Sequence, residues 1–234
     1  RRLPIPCVGS ACSLSGSVYR DEASLEGVCA EDRDRLLVNE LYIRAEGCKW
    51  ELVDYGVKRL FGDAVLPSEK LVPRHVVWAK LRWKDTAGGR SVYILNTHVS
   101  GGRFEDRHFQ RLSRVRFLQT MGAMEVFDEK SSKGDLGILV GDFNATTPDK
   151  ADKLVHSYFE QFIKYLPQVD TDMDELGLDE EHLEERFSEY MSSPFKAMSE
   201  HGWSLAFRQS EVGASSRFGH LVDHMAVSQA VPTD

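Results

Sequence analysis

Ile138-Leu139-Val140-Gly141-Asp142-Phe143-Asn144-Ala145 is the stretch on which the rest of the chain hangs. The apolar run Gly137 to Val140 is short and bounded by turn-forming residues, so it reads as a buried strand and not as a helix. Its end delivers Asp142 and Asn144 to a sheet edge. Two residues apart on an extended chain, these side chains are expected on the same side. A turn with local Asx hydrogen bonds accounts for the same residues equally well.

Working outward, Val72 to Trp83 alternates apolar and polar residues from Val77 on, and Ser91 to His98 follows a turn at Thr86-Ala87-Gly88-Gly89. Residues 76–98 therefore read as a β-hairpin. Phe104 to Phe127 carries apolar residues at 109, 112, 115, 118 and 121/124, the spacing of an amphipathic helix whose other face holds Arg107, Arg111, Arg114 and Arg116. On the far side of the opening stretch, helices are expected at 152–166, within 169–190, and from Ser193 to a stop at Gly202. Leu221 to Val227 reads as a final strand. Before the hairpin, Leu36 to Tyr42 and Trp50 to Val57 are candidate strands. Strands and helices alternate along one chain, so the fold class is α/β, a mixed sandwich. No Pro/Gly/Ser-rich seam divides it, and 1–234 reads as a single domain.

Three short elements carry chemistry. Asp142 supplies a hard anionic oxygen and Asn144 a neutral donor and acceptor, a pair suited to a Mg²⁺-assisted phosphoryl site. Asn96-Thr97-His98 closes a strand, and a histidine there can donate to a phosphate oxygen or transfer a proton. Val222-Asp223-His224 puts a carboxylate into an apolar strand, where it needs a partner, most simply a histidine.

In this order the three elements resemble the endonuclease/exonuclease/phosphatase superfamily, the deoxyribonuclease I-like proteins. Leu95-Asn96-Thr97-His98, Gly141-Asp142-Phe143-Asn144-Ala145 and Leu221 to Ser228 carry the resemblance, with Phe61 to Leu66 and Arg74-His75-Val76-Val77 similar to the segment ahead of the Thr-His strand. The resemblance implies a four-layer α-β-β-α sandwich of two mainly antiparallel sheets, with the site at one sheet edge. It implies a Mg²⁺-dependent (or Mn²⁺-dependent) phosphoesterase. Asp142 and Asn144 would position the attacking water and the phosphate, His98 would contact the scissile phosphate, and Asp223 would orient a catalytic histidine. Glu40, in Leu36-Leu37-Val38-Asn39-Glu40, is similar to the family's metal-binding glutamate, with Glu51 as its competitor. Asp234, in Pro232-Thr233-Asp234, is similar to the start of the family's closing Ser-Asp-His motif and would join the metal. Two departures stand out: no Asn precedes Asn39, where the family's first strand ends in one, and no histidine follows Asp234. The simplest expectation is a domain incomplete at both ends; the alternative is a non-catalytic scaffold that keeps the fold.

Substrate choice within the family is open on these motifs. A phosphodiester in a nucleic acid is favoured, with a phosphoinositide or other lipid phosphoester as the alternative. Ser100-Gly101-Gly102-Arg103 follows the Thr-His strand; glycine-rich amides opening a helix can receive phosphate, and Arg103, nearest His98, is the candidate substrate-binding residue. The formal net charge of −8 on 234 residues at first counts against a polyanionic substrate. Its location weakens that objection. Residues 169–190 hold ten acids and one base, a net of −9, which leaves +1 on all the rest. This segment reads as an acidic helical insertion at about 167–192. Cys7, Cys12, Cys29 and Cys48 include no CxxC pair and have no histidine among them, so neither a zinc site nor a disulfide framework is expected, and the cysteines read as reduced residues of an intracellular protein. No apolar run approaches the roughly 20 residues of a membrane span. The sequence sets no oligomeric state.

Overall fold

The structure, a computed structural model, describes residues 7–8, 11–13, 41–44, 49–60, 74–84, 90–101, 109–147, 185, 188–189, 191–207, 209–215 and 221–228. Residues 36–40 of the expected strand Leu36 to Tyr42, the turn at 86–89, the helix at 152–166 and nearly all of the acidic insertion lie outside these residues, as do Glu40, Arg103 and Asp234.

A small antiparallel sheet joins β1 (Cys7–Val8), β2 (Ala11–Ser13) and β3 (Tyr42–Arg44). The larger, mixed sheet has six strands: β4 (Trp50–Arg59), β5 (His75–Trp83), β6 (Ser91–His98), β7 (Leu136–Asp142), β8 (Trp203–Leu205) and β9 (Asp223–Ser228). Their spatial order is β4-β5-β6-β7-β9-β8. Every pairing is antiparallel except β6 with β7, which run parallel. A parallel pair needs a long crossover; here it contains helix α1 (Phe109–Lys130). Two shorter helices follow, α2 (Ser193–Glu200) and α3 (Gln209–Val212). The expected hairpin is formed by β5 and β6, and the α/β class holds.

The alternation along β6 sets the layers. Ser91, Tyr93, Leu95 and Thr97 are buried, while Val92, Ile94, Asn96 and His98 are half-buried. The buried set faces α1: the Tyr93 ring meets Phe127 edge-on at 5.4 Å, and its hydroxyl donates to the Lys130 carbonyl at 2.5 Å. Phe127 in turn meets Trp203 edge-on at 5.5 Å. Burying aromatic side chains of this size contributes roughly 1.5–3 kcal/mol each, so this ladder of rings anchors the helical layer. Trp203 lies directly over β7, and Gly137 is the residue beneath it: a Cβ there would fall 2.4 Å from the indole ring.

One expectation about α1 fails. Arg116, placed on the solvent face by the helical spacing, is 1% exposed. The helix is covered on two sides, by the sheet and by α2, with Ser193 Oγ donating to the Ser113 carbonyl at 2.9 Å. The buried arc therefore takes in Ser113, Arg116, Gln119 and Thr120 besides the apolar stripe. Arg114 remains exposed as expected. Further along, α2 begins with Pro194 in its first turn and gives way at Gly202, whose φ of +73° ends the helix. Among the described residues no helix is long and apolar enough to cross a membrane.

Candidate active site

Strand register brings three sequence-distant residues into one row. His98 is the partner of Asp142 across the parallel pair β6–β7, and Asp142 is the partner of Asp223 across β7–β9. Register partners share a face, and His98 lies on the face opposite α1. The row thus crosses three adjacent strands at the carboxyl ends of the parallel pair. His98 Nε2 stands 3.5 Å from Asp142 Oδ2, with each side chain about one-third exposed (31% and 30%). Gly141 makes this approach of β6 and β7 feasible. Its φ is +147°, and a Cβ at that position would sit 1.8 Å from the Thr97 carbonyl oxygen; only glycine fits.

Asn144 does not follow the extended path that would put it level with Asp142. β7 ends at Asp142, and Asn144 takes a left-handed φ of +47°. Its backbone N–H donates to Asp142 Oδ1 at 2.8 Å, and its side-chain Nδ2 donates to the Val99 carbonyl at 3.1 Å. The Asx turn prevails because the short Asp side chain can cap the chain as it leaves the sheet. The outcome still serves the site: one carboxylate oxygen of Asp142 is committed to the turn, and the other faces His98. The Val99 N–H donating to the Asp142 carbonyl (3.0 Å) and the Phe143 N–H donating to the Val222 carbonyl (2.9 Å) clip the loop to both neighbouring strands.

Asp223 departs from expectation in another way. It is exposed, not buried in its apolar strand, because it is the first residue of β9, at the open end of the sheet. It needs no buried partner, and its carboxylate is available beside Asp142. Glu51, the competitor of Glu40, is excluded from this site. It pairs with Arg82 at 2.8 Å at the opposite end of β4 from Arg59, the residue level with His75. The glycine-rich segment after β6 also behaves differently at its start: the Ser100 N–H is used internally, donating to Gln119 Oε1 at 2.7 Å, while Gln119 Nε2 donates back to Ser100 Oγ at 2.9 Å. Ser100 is thus pinned to α1 and cannot offer its amide to a phosphate.

One residue of the site escaped the sequence reading. Arg74, immediately before β5, has Nε and Nη1 buried with no hydrogen-bond partner. Burial holds its guanidinium below its usual pKa, and the Asp142 charge opposes that shift; the group stays cationic at neutral pH. The same cation acts on His98, whose pKa is lowered by burial first and Arg74 second, against the pull of Asp142 and Asp223. His98 is therefore poised toward the neutral imidazole. The available signal was an arginine following Pro73 at the head of an apolar strand, a position where a solvated charge is the commoner reading.

Chemically the row offers an imidazole and two carboxylates, with the half-buried Arg74 cation acting on them. Fold and site together describe an α/β protein with an acid–imidazole row at the carboxyl ends of a parallel strand pair. Among the described residues no group of three acidic, imidazole or thiol side chains converges on one point. Magnesium is usually held by only one or two carboxylates, with water and substrate oxygens completing its shell, and the adjacent Asp142 and Asp223 fit that donor set.

No protein-family model matches the sequence, and no curated protein matches it. Solved structures resemble it in part. An endonuclease/exonuclease/phosphatase family protein from Bacteroides thetaiotaomicron is 15% identical, with a TM-score of 0.45 over 82% of this chain and 55% of that one. A mannosyl-6-phosphatase of the same organism is 12% identical, with a TM-score of 0.44 over 82% and 57%. The human Nocturnin catalytic domain is 14% identical, with a TM-score of 0.41 over 81% and 52%. The chain spans a little over half the length of these structures.

Proposed function

We propose that this chain carries the core of a metal-dependent phosphoesterase of the endonuclease/exonuclease/phosphatase type. The observation that carries the reading is the row His98–Asp142–Asp223 with the Arg74 charge acting on it. The positive charge of Arg74, felt at both His98 and Asp142, would attract a tetrahedral anion to the row. Asp142, fixed by the Asn144 amide through one oxygen, would use the other to orient a water molecule or take its proton. His98, held neutral, can donate to a phosphate oxygen without competing with Arg74 for charge. Asp223 supplies a second carboxylate for proton transfer or cation binding.

Mg²⁺ fits this set. Asp142 and Asp223 would help hold it, and by the family resemblance Glu40 and Asp234 would complete the site; the ion would neutralise charge on the phosphate. Arg103 is proposed as a further substrate contact. The half-buried face bearing Ile94, Ile138, Val140 and Met225 supports a second sheet packed there, giving the four-layer sandwich. A phosphodiester in a nucleic acid is the favoured substrate, since the charge outside 169–190 is close to neutral.

The test is hydrolysis of a single-stranded oligonucleotide and of bis(p-nitrophenyl) phosphate with and without Mg²⁺. Activity should require the metal, and Asp142→Asn or His98→Ala should reduce kcat about 100-fold or more. Wild-type rates in both variants would refute the site. Cleavage of phosphoinositide vesicles in preference to the oligonucleotide would move the substrate to lipid.

A further inference from the structure

Among the described residues His224 is a buried imidazole whose contacts and packing are both defined. It is 3% exposed and lies edge-on to Phe195 at 4.7 Å, with Phe143 at 6.2 Å. Its Nε2 stands 3.0 Å from the Ala145 carbonyl oxygen and 3.1 Å from that of Leu221. Both partners are pure acceptors, so Nε2 must carry the proton and share it between them. Nδ1 is buried and has no partner, which suits a bare lone pair better than a second N–H.

The two carbonyls belong to the two segments that carry the site. Ala145 follows Asn144 in the loop leaving β7, and Leu221 precedes Asp223 at the head of β9. Each segment is otherwise joined to the other at this level by the Phe143–Val222 backbone bond. His224 itself points to the opposite face of β9 from Asp223, toward the core, as adjacent strand residues do. It cannot touch a ligand in the cleft.

We infer that His224 is a positioning residue, a neutral Nε2–H clamp whose shared hydrogen bond to Ala145 and Leu221 fixes the Asp142–Asn144 turn against Asp223. The inference rests on the reading of that row as the phosphoester site, but its central claim concerns geometry and can be measured without turnover. A small shift of the loop would misalign the carboxylate with its phosphate, and displacements of about 1 Å from remote changes can cost ~100-fold in rate.

The experiment compares the full chain with His224→Phe, which keeps the ring and its packing but has no donor, and with His224→Gln, which restores an N–H donor. With bis(p-nitrophenyl) phosphate and Mg²⁺, H224F should lose ~10- to 100-fold in kcat at unchanged KM, and H224Q should recover most of it. Independently of turnover, NMR should show the Asn144 and Phe143 amide protons displaced in H224F and near wild type in H224Q. A folded H224F that leaves both signals in place overturns the inference, whatever its rate. If H224F does not fold, the wild-type ring decides: ¹⁵N spectra must show His224 protonated at Nε2 and bare at Nδ1, and the reverse tautomer overturns the clamp. Absence of hydrolysis by the wild type would remove the proposed function while leaving these spectroscopic outcomes to judge His224.

Discussion

His98 Nε2 lies 3.5 Å from Asp142 Oδ2 across the only parallel pairing in the six-stranded sheet, and Arg74 acts on both from the head of the neighbouring strand. The imidazole therefore feels opposed charges: Arg74 and burial depress its pKa, while Asp142 and Asp223 raise it. Removing one side must move it in a known direction. Asp142→Asn should lower the His98 pKa further, and Arg74→Met should raise it. ¹H–¹³C NMR titration of the ring in each variant checks both signs, and movement of the two variants in the same direction would break the proposed electrostatic arrangement.

Arg74 should separate stability from function. Its Nε and Nη1 are buried and unpaired, so Arg74→Met keeps the length of the side chain and removes a desolvated cation. Relief of that penalty should stabilise the fold by about 1–3 kcal/mol, read from urea unfolding. The same change removes the cation proposed to attract phosphate, so KM for a phosphodiester should rise about tenfold or more. Arg74→Lys should restore little, because an ammonium cannot reproduce the planar fork. Loss of both stability and affinity would mean that the guanidinium has a partner within the fold.

The row was legible in the sequence because strand ends can be read from short apolar runs: His98, Asp142 and Asp223 each close or open one. Its details were not legible, since they depend on competition between local and sheet geometry. Asn144 leaves the extended path because the Asp142 side chain captures its amide. Arg116 reads as a solvated helix residue, yet it is buried in a helix packed on both the sheet and α2, whose position no local pattern announces. Trp203 to Leu205 was too short to signal a strand, and only pairing with β9 makes it one. Arg74 was hidden by the same ambiguity, since a charge at a strand head is usually solvated.

Acid should destabilise this fold through His75. The side chain is 4% exposed, and burial followed by the Arg59 charge pushes its pKa down to about 4 from an ordinary 6.5. As pH falls through 6.5 the unfolded chain takes up a proton that the folded chain refuses until about pH 4. Stability contributed by the neutral ring is thus full above pH 6.5 and declines across that window, by about 3 kcal/mol at its lower end. His75→Gln should flatten this part of the stability–pH curve. An unchanged slope in urea unfolding between pH 6.5 and 4 would assign the acid sensitivity elsewhere.

Gly141 and Gly101 both border the site, and they should respond oppositely to the same methyl group. At Gly141 the backbone has φ +147°, and a Cβ would lie 1.8 Å from the Thr97 carbonyl oxygen, main-chain atoms of the adjoining strand that cannot yield without parting β6 from β7. Gly141→Ala should cost at least about 3 kcal/mol and abolish activity, because the displaced strands carry His98 and Asp142. At Gly101 the nearest atom to a Cβ is Asn144 Oδ1 at 3.5 Å, an ordinary contact, so Gly101→Ala should stay within about 0.5 kcal/mol of wild type. Urea midpoints of the two variants, with kcat measured beside them, test the contrast. A tolerated Gly141→Ala would mean that β6 and β7 do not approach so closely, and the spacing of His98 and Asp142 would have to be redrawn with them.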